Sequence, residues 1–151
     1  MEGRISRLIL SGWIRGGFNE QILAGTVRRI GADRVLLTGL GPPERFSAER
    51  YRTLVSLLGP VIARLGMRSL VTPLPGFHQA QWSLPEIPPS LAAEFLIESI
   101  ARAMIPVRDY PREPEMLIAA EEEKRDEIFL GAQQVKVSLK GKIDLEIRVE
   151  G

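Results

Sequence analysis

The residues of this chain that could do chemistry fall in two places. One is the run Val35-Leu36-Leu37-Thr38-Gly39-Leu40-Gly41-Pro42-Pro43-Glu44-Arg45-Phe46-Ser47. There an apolar stretch meets a Gly-x-Gly turn and then a helix-start residue. A strand feeding such a turn is how many α/β proteins hold phosphate, because the amides of the turn and the helix N-terminus point at an anion. The other is Gly76-Phe77-His78-Gln79-Ala80-Gln81-Trp82, which contains the single histidine between two aromatic residues. A loop beyond the carboxyl end of a parallel strand is where such folds bind ligands.

Neither place carries a complete motif. A Walker loop needs a lysine and a later glycine, and neither follows Gly41. The dinucleotide fingerprint needs a third glycine at position 44, which is Glu44. Pro42 and Pro43 remove two amide donors from the turn itself. The residues therefore favour a plain strand-to-helix turn. Gly39, Gly41, Phe77, His78 and Trp82 remain as a candidate ligand loop. With one histidine and no cysteine, a His- or Cys-based zinc site or a Ser-His-Asp triad has almost nothing to draw on. Phe77 and Trp82 are read first as packing residues, and no catalytic role is assigned to His78. Asp33, Asp109 and Asp126 have no spacing that would bring them to a shared metal, and Asn19-Glu20 reads as a turn or a helix start rather than a site. No metal, cofactor or catalytic residue is expected.

The composition excludes further classes. Of 151 residues, 44% are apolar and 26% charged, with 20 basic against 19 acidic side chains and a net charge of +1. A nucleic-acid binder concentrates positive charge on one face. Here the densest basic stretch (Arg4, Arg7, Arg15, Arg28, Arg29 and Arg34) is interrupted by acids. No apolar run approaches the roughly 18 residues of a membrane span. The apolar core of Met1 to Trp13 is too short for a signal peptide, so a cytoplasmic location is expected, without nucleic-acid or membrane partners.

The elements that would position these residues follow from periodicity. Arg4 to Trp13 reads as a strand, Gly16-Gly17 as a turn, and Phe18 to Thr26 as a short helix or an edge strand. Arg34 to Thr38 reads as a strand covered on both faces. Ser47 caps a helix whose stripe is Tyr51, Leu54, Val55, Leu58, Val61, Ile62 and Leu65, with a kink or break expected at Gly59-Pro60. Gly66 ends it and Arg68 to Leu74 returns as a strand. That rhythm favours a parallel sheet. A proline-rich connection from Thr72 to Pro89 leads to a helix capped by Ser90 and stopped by Pro106. Leu91, Phe95, Leu96, Ile100 and Met104 face inward in it, and Glu94, Glu98 and Arg102 outward. Met116 to Ala120 reads as a strand and Glu121 to Leu130 as a helix with a Glu121–Arg125 pair. Val135, Val137 and Leu139 alternate, as do Ile143, Leu145, Ile147 and Val149. A turn at Lys140-Gly141-Lys142 would join them into an antiparallel hairpin whose edge could pair with a second copy.

Three stretches in this order carry a family resemblance: Asp33 to Gly41, then Phe46-Ser47-Ala48-Glu49 with its helix, then Met67 to Pro75. Together they resemble the N-terminal domain of the leucyl aminopeptidases of the M17 peptidase family, over about residues 20 to 120. The helix Ala92 to Ala103 and Asp109-Tyr110 look like later parts of that domain in altered form. The resemblance implies an α/β fold: a macro-like three-layer α/β/α domain with a mixed sheet, here with the C-terminal β-hairpin. It implies a single domain over 1–151, with the family's opening strand and helix short or missing before Arg4. In those aminopeptidases this domain supports assembly of the hexamer. The chemistry sits in a separate C-terminal domain with two metal ions and an Asn-Thr-Asp-Ala-Glu-Gly-Arg-Leu run, which this sequence lacks. The implied role is thus non-catalytic, an interaction or assembly domain acting through self-association or another protein chain. The alternative is a nucleotide- or ADP-ribose-type ligand domain using the loops 39–46 and 76–82.

Overall fold

The computed structural model describes residues 2–26, 31–77, 87–107 and 113–149. The chain divides into two compact units, Met1–Phe46 and Ser47–Gly151. Strands pair both antiparallel and parallel, and helices make up most of the second unit, so the class is α/β.

The first unit opens with helix α1, Glu2–Leu10, where a strand is expected from the sequence. Ile5, Leu8 and Ile9 stand at helical spacing, and Gly12 with φ +75° supplies the left-handed residue that closes a helix. The Trp13 amide returns to the Leu8 carbonyl at 3.0 Å. The short apolar run Leu8-Ile9-Leu10 fits either period, and the glycine end signal decides it. Strands β1, Gln21–Gly25, and β2, Arg34–Thr38, then pair antiparallel, with Ile22 opposite Leu37 and Ala24 opposite Val35. This corrects the expectation of a parallel strand covered on both faces: Leu23 on β1 is exposed, and only half-buried residues follow Arg34 along β2. The physical reason is the connection. Residues 26–33 are too few for a parallel crossover, and the Thr26 amide and hydroxyl bond the Asp33 and Ala32 carbonyls across its base.

The second unit begins with helix α2, Ala48–Arg64. Ser47 caps it as expected, its hydroxyl accepting the Arg50 amide at 3.3 Å. The helix runs through Pro60 without the expected break. Pro60 is exposed, while Leu58 and Ile62 on either side of it are buried. Gly66 with φ +59° ends it. Strand β3, Ser69–Pro73, pairs parallel with β4, Glu115–Ala119, and helix α3, Pro89–Met104, lies between them in sequence. Ser90 is not the cap of α3: Pro88 holds that position and Pro89 opens the helix, its missing amide costing nothing at a first turn. The Glu98–Arg102 pair closes at 2.8 Å on the polar side.

Helix α4, Arg125–Ser138, starts later and ends much later than the sequence suggests. Glu121 precedes it and pairs with Lys124 at 2.9 Å, in a single tight turn over Glu122–Lys124. The helix passes through the first arm of the expected hairpin, so there is no C-terminal β-hairpin. Val135 and Leu139 are one turn apart and fully buried, whereas Val137 between them is 74% exposed. The same spacing of two serves a strand, but here every second interval of it is the i, i+4 step of a helix whose face continues from Ile128 and Ala132.

The core of this unit is the packing of α2 on α3 and α3 on α4. Tyr51, Leu54 and Val55 on α2, Ala92, Leu96 and Ile100 on α3, and Val135 on α4 with Leu139 just after it are all buried there. Two glycines set how closely the helices approach. A Cβ at Gly59 would overlap the Ser99 hydroxyl and carbonyl, and one at Gly131 the Ser90 carbonyl. The Ser99 hydroxyl donates to the Val55 carbonyl at 2.6 Å across the same contact. Among the described residues no helix is long and apolar enough to cross a membrane.

Candidate functional site

The Gly39-Leu40-Gly41 turn follows β2, and its backbone is bound from within the first unit. The Gly39 amide donates to the Glu20 carbonyl at 2.8 Å, and the Gly39 carbonyl accepts the Asn19 amide at 2.9 Å. The Gly41 amide donates to the Gly16 carbonyl at 3.0 Å. Both glycine amides that would have faced a phosphate therefore face the Gly16–Glu20 loop. Gly39 is glycine because that loop lies against it: a Cβ there would overlap the Gly17 carbonyl. Gly41 has φ +74°, a conformation L side chains rarely adopt, and leads into a single tight turn, Pro43–Arg45.

The loop opposite has its own anion. The Glu20 carboxylate accepts the Arg15 amide at 3.0 and 3.3 Å and the Gly17 amide at 3.1 Å. Gly16 turns left-handed between those donors with φ +69°. Asn19 at φ +59° gives the turn Gly17–Glu20 the positive third residue of a type II turn, and its side-chain oxygen accepts from Gln21 at 2.8 Å. Asn19-Glu20 is thus a turn, as the sequence suggests. The role of Glu20 in holding it is absent from the sequence reading. An acid three residues after a glycine pair is the signal that could have found it.

In the second unit, the chain leaves β3 through a tight turn with Pro75 and Gly76 at its centre. The Phe77 amide donates to the Leu74 carbonyl at 3.1 Å, and Gly76 has φ +81°. Phe77 is half-buried, with its ring edge-on to Tyr51 at 6.1 Å between centroids. His78 and Trp82 lie outside the described residues. So the structure brings Gly39 and Gly41 together with Gly16 and Gly17, and Phe77 together with Tyr51. The loops 39–46 and 76–82 belong to different units.

Tyr51 is buried in the second unit. Its hydroxyl donates to the Ala92 carbonyl at 2.8 Å, and burial pushes its phenol well above the ordinary tyrosine range. Its oxygen is engaged with that carbonyl inside the helical core. Asp33 and Asp126 are exposed on separate units, and Asp109 lies outside the described residues. Among the described residues no three His, Cys, Asp or Glu side chains converge as metal ligands would.

Comparison with known proteins gives this geometry its context. The chain is 30% identical over 77 residues to a probable cytosol aminopeptidase of Buchnera aphidicola subsp. Baizongia pistaciae (strain Bp), covering 51% of this chain and 15% of that protein. It is 34% identical over 79 residues to a probable cytosol aminopeptidase of Burkholderia thailandensis, covering 49% of this chain and 16% of that protein. The similarity therefore spans less than a fifth of either relative. The model of the cytosol aminopeptidase family, N-terminal domain, matches residues 1–102, which include the glycine turn and both strands leading to it. By that match the chain belongs to the cytosol aminopeptidase family, through its N-terminal domain.

Proposed function

We propose that this chain is a non-catalytic interaction or assembly domain. In this reading it is a single macro-like α/β/α domain over residues 1–151, working in the cytoplasm through self-association or another protein chain. The observation that carries the reading is the outer face of the β3–β4 pair. Val71 lies opposite Leu117 and Pro73 opposite Ala119, and all four are exposed, Val71 to 67%. An apolar sheet face of this kind is a surface that a protein partner buries. The turn at Gly39 and Gly41 supports the same reading from the other side, because its amides are engaged within the fold.

The test is light scattering on the purified chain beside a Val71→Asp, Leu117→Asp double variant. A wild-type oligomer that the double variant loses supports the reading, and a wild-type monomer at all concentrations overturns self-association. The same preparation is titrated with ADP-ribose. Micromolar binding that disappears with His78→Ala would replace this reading with the ligand-domain alternative. Leucine-type chromogenic substrates should stay uncleaved, with or without added zinc or manganese.

A further inference from the structure

The end of α1 displays large apolar side chains to solvent. Leu10 is 86% exposed and Trp13 78%, and Ile9 is exposed beside them. A single exposed leucine means little, but a group of three within five residues marks a contact surface. Local geometry accounts for the display. Ile5 and Leu8 are half-buried, and Leu10, two residues on from Leu8, stands about 200° round the helix from it. Gly12 turns left-handed, and the Trp13 and Ile14 amides both return to the Leu8 carbonyl, at 3.0 and 3.2 Å. Trp13 therefore sits on a closed turn just past the helix end. The charge around this tip has one sign. Gly3 to Asn19 contain Arg4, Arg7 and Arg15 and no aspartate, glutamate or lysine. Arg7 and Arg15 are exposed, and Arg7, three residues before Leu10, is its neighbour on the helix surface. Of the flanking acids, Glu2 lies at the other end of α1, about 12 Å along its axis. The Glu20 carboxylate is held by the Arg15 and Gly17 amides.

We infer that the end of α1, from Arg7 to Arg15, is a membrane-surface anchor that seats in the interface of an anionic bilayer. The inference stands apart from the assembly reading and uses a different surface. Charge complementarity names the occupant: arginines without acids among them match phosphate and carboxylate headgroups. Leucine, isoleucine and an indole beside those arginines match the boundary just beneath, where acyl chains begin. A protein partner fits less well, because it needs roughly 800 Å² of matched surface, of which three side chains at one helix end supply a fraction. Acyl chains need no matched shape. At nine residues α1 is far shorter than the roughly 20 of a span, so it lies on a bilayer and does not cross it. The expectation of no membrane partner weighs spans and leaders, and an interfacial helix needs neither.

The experiment uses the full chain, sedimented with vesicles of phosphatidylcholine alone or with about a third phosphatidylserine, at about 0.1 and about 0.5 M salt. One variant, Leu10→Ser with Trp13→Ser, removes the apolar tip. A second, Arg7→Gln with Arg15→Gln, removes its charge. All four side chains are exposed, and far-UV circular dichroism establishes that each variant is folded. Wild type is expected to bind the anionic vesicles at least about tenfold better than the neutral ones. Binding should fall by about tenfold or more in the apolar variant, and by roughly threefold or more in the charge variant or at the higher salt. Wild type that does not sediment with anionic vesicles overturns the inference. So does binding that the apolar variant retains, or equal binding to both kinds of vesicle. Light scattering without lipid supplies a further arm: an oligomer lost in the apolar variant assigns the tip to a second copy and overturns the lipid assignment. Should the apolar variant misfold, a Trp82→Phe chain leaves Trp13 as the single indole. Quenching of its fluorescence by brominated phosphatidylcholine in the anionic vesicles supports insertion, and unchanged fluorescence overturns it.

Discussion

The Tyr51 hydroxyl reaches from α2 to the Ala92 carbonyl on α3, 2.8 Å away, in the driest part of the helical core. One atom of oxygen thereby ties the first turn of one helix to the first turn of the next. Tyr51→Phe should cost about 0.5–1.5 kcal/mol, the usual net worth of such a bond, read as a lower urea midpoint with an unchanged slope.

Burial of the same phenol gives a pH dependence with a definite sign. Its folded-state pKa is raised by desolvation, so the unfolded chain ionises Tyr51 first. The stability this group contributes is complete below about pH 10, the ordinary tyrosine value, and is lost as pH climbs above it. Urea unfolding from pH 8 to 12 should show a downward component that Tyr51→Phe lacks. Equal slopes in the two proteins would contradict the burial of this hydroxyl.

Glycine-to-alanine changes in the middle of a helix ordinarily stabilise by about 0.5–1 kcal/mol. Gly59→Ala and Gly131→Ala should do the reverse, because the added methyl meets Ser99 in one case and the Ser90 backbone in the other. A loss of about 1–3 kcal/mol each is expected from the displaced contacts, measured by chemical denaturation.

Gly39→Ala should likewise destabilise the first unit, since its methyl would meet the Gly17 carbonyl. The effect belongs to the fold and not to a ligand: hydrogen exchange in 16–25 should accelerate, with or without nucleotide present.

Val135 and Val137 separate the helix from the hairpin. On a strand both would share one face, and aspartate at either would be equally damaging. On α4 Val135 is fully buried and Val137 is 74% exposed. Val137→Asp should stay within about 0.5 kcal/mol of wild type, while Val135→Asp should lose several kcal/mol, as an unpaired charge in a core does.

Those two valines also explain what was legible in the sequence. The stripe of α2 has seven apolar positions and a cap, and the strands Arg34–Thr38 and Ser69–Pro73 are bounded by Gly39 and Gly66, so their type and place are plain. Val135-x-Val137-x-Leu139 satisfies periods of two and of four together. Only Ile128 and Ala132, two turns and one turn earlier and likewise buried, decide between them. Ile5, Leu8 and Leu10 pose the same ambiguity in α1 over a shorter run. Ser90 has the chemistry of a cap, but Pro89 before it is already helical. For the candidate site, the prolines after Gly41 argue against a phosphate loop. The partners of its amides could not be read, because Gly16, Glu20 and Gly39 are distant in sequence.

The Glu20 carboxylate has a consequence for any small molecule offered to the glycine turns. It is a tethered competitor, already seated on the Arg15 and Gly17 amides. Being part of the same chain, it acts at an effective concentration in the millimolar range or above, as short linkages generally do. A free anion at ordinary cellular levels meets a seat whose owner never leaves the room, and Glu20→Gln is the change that would open it.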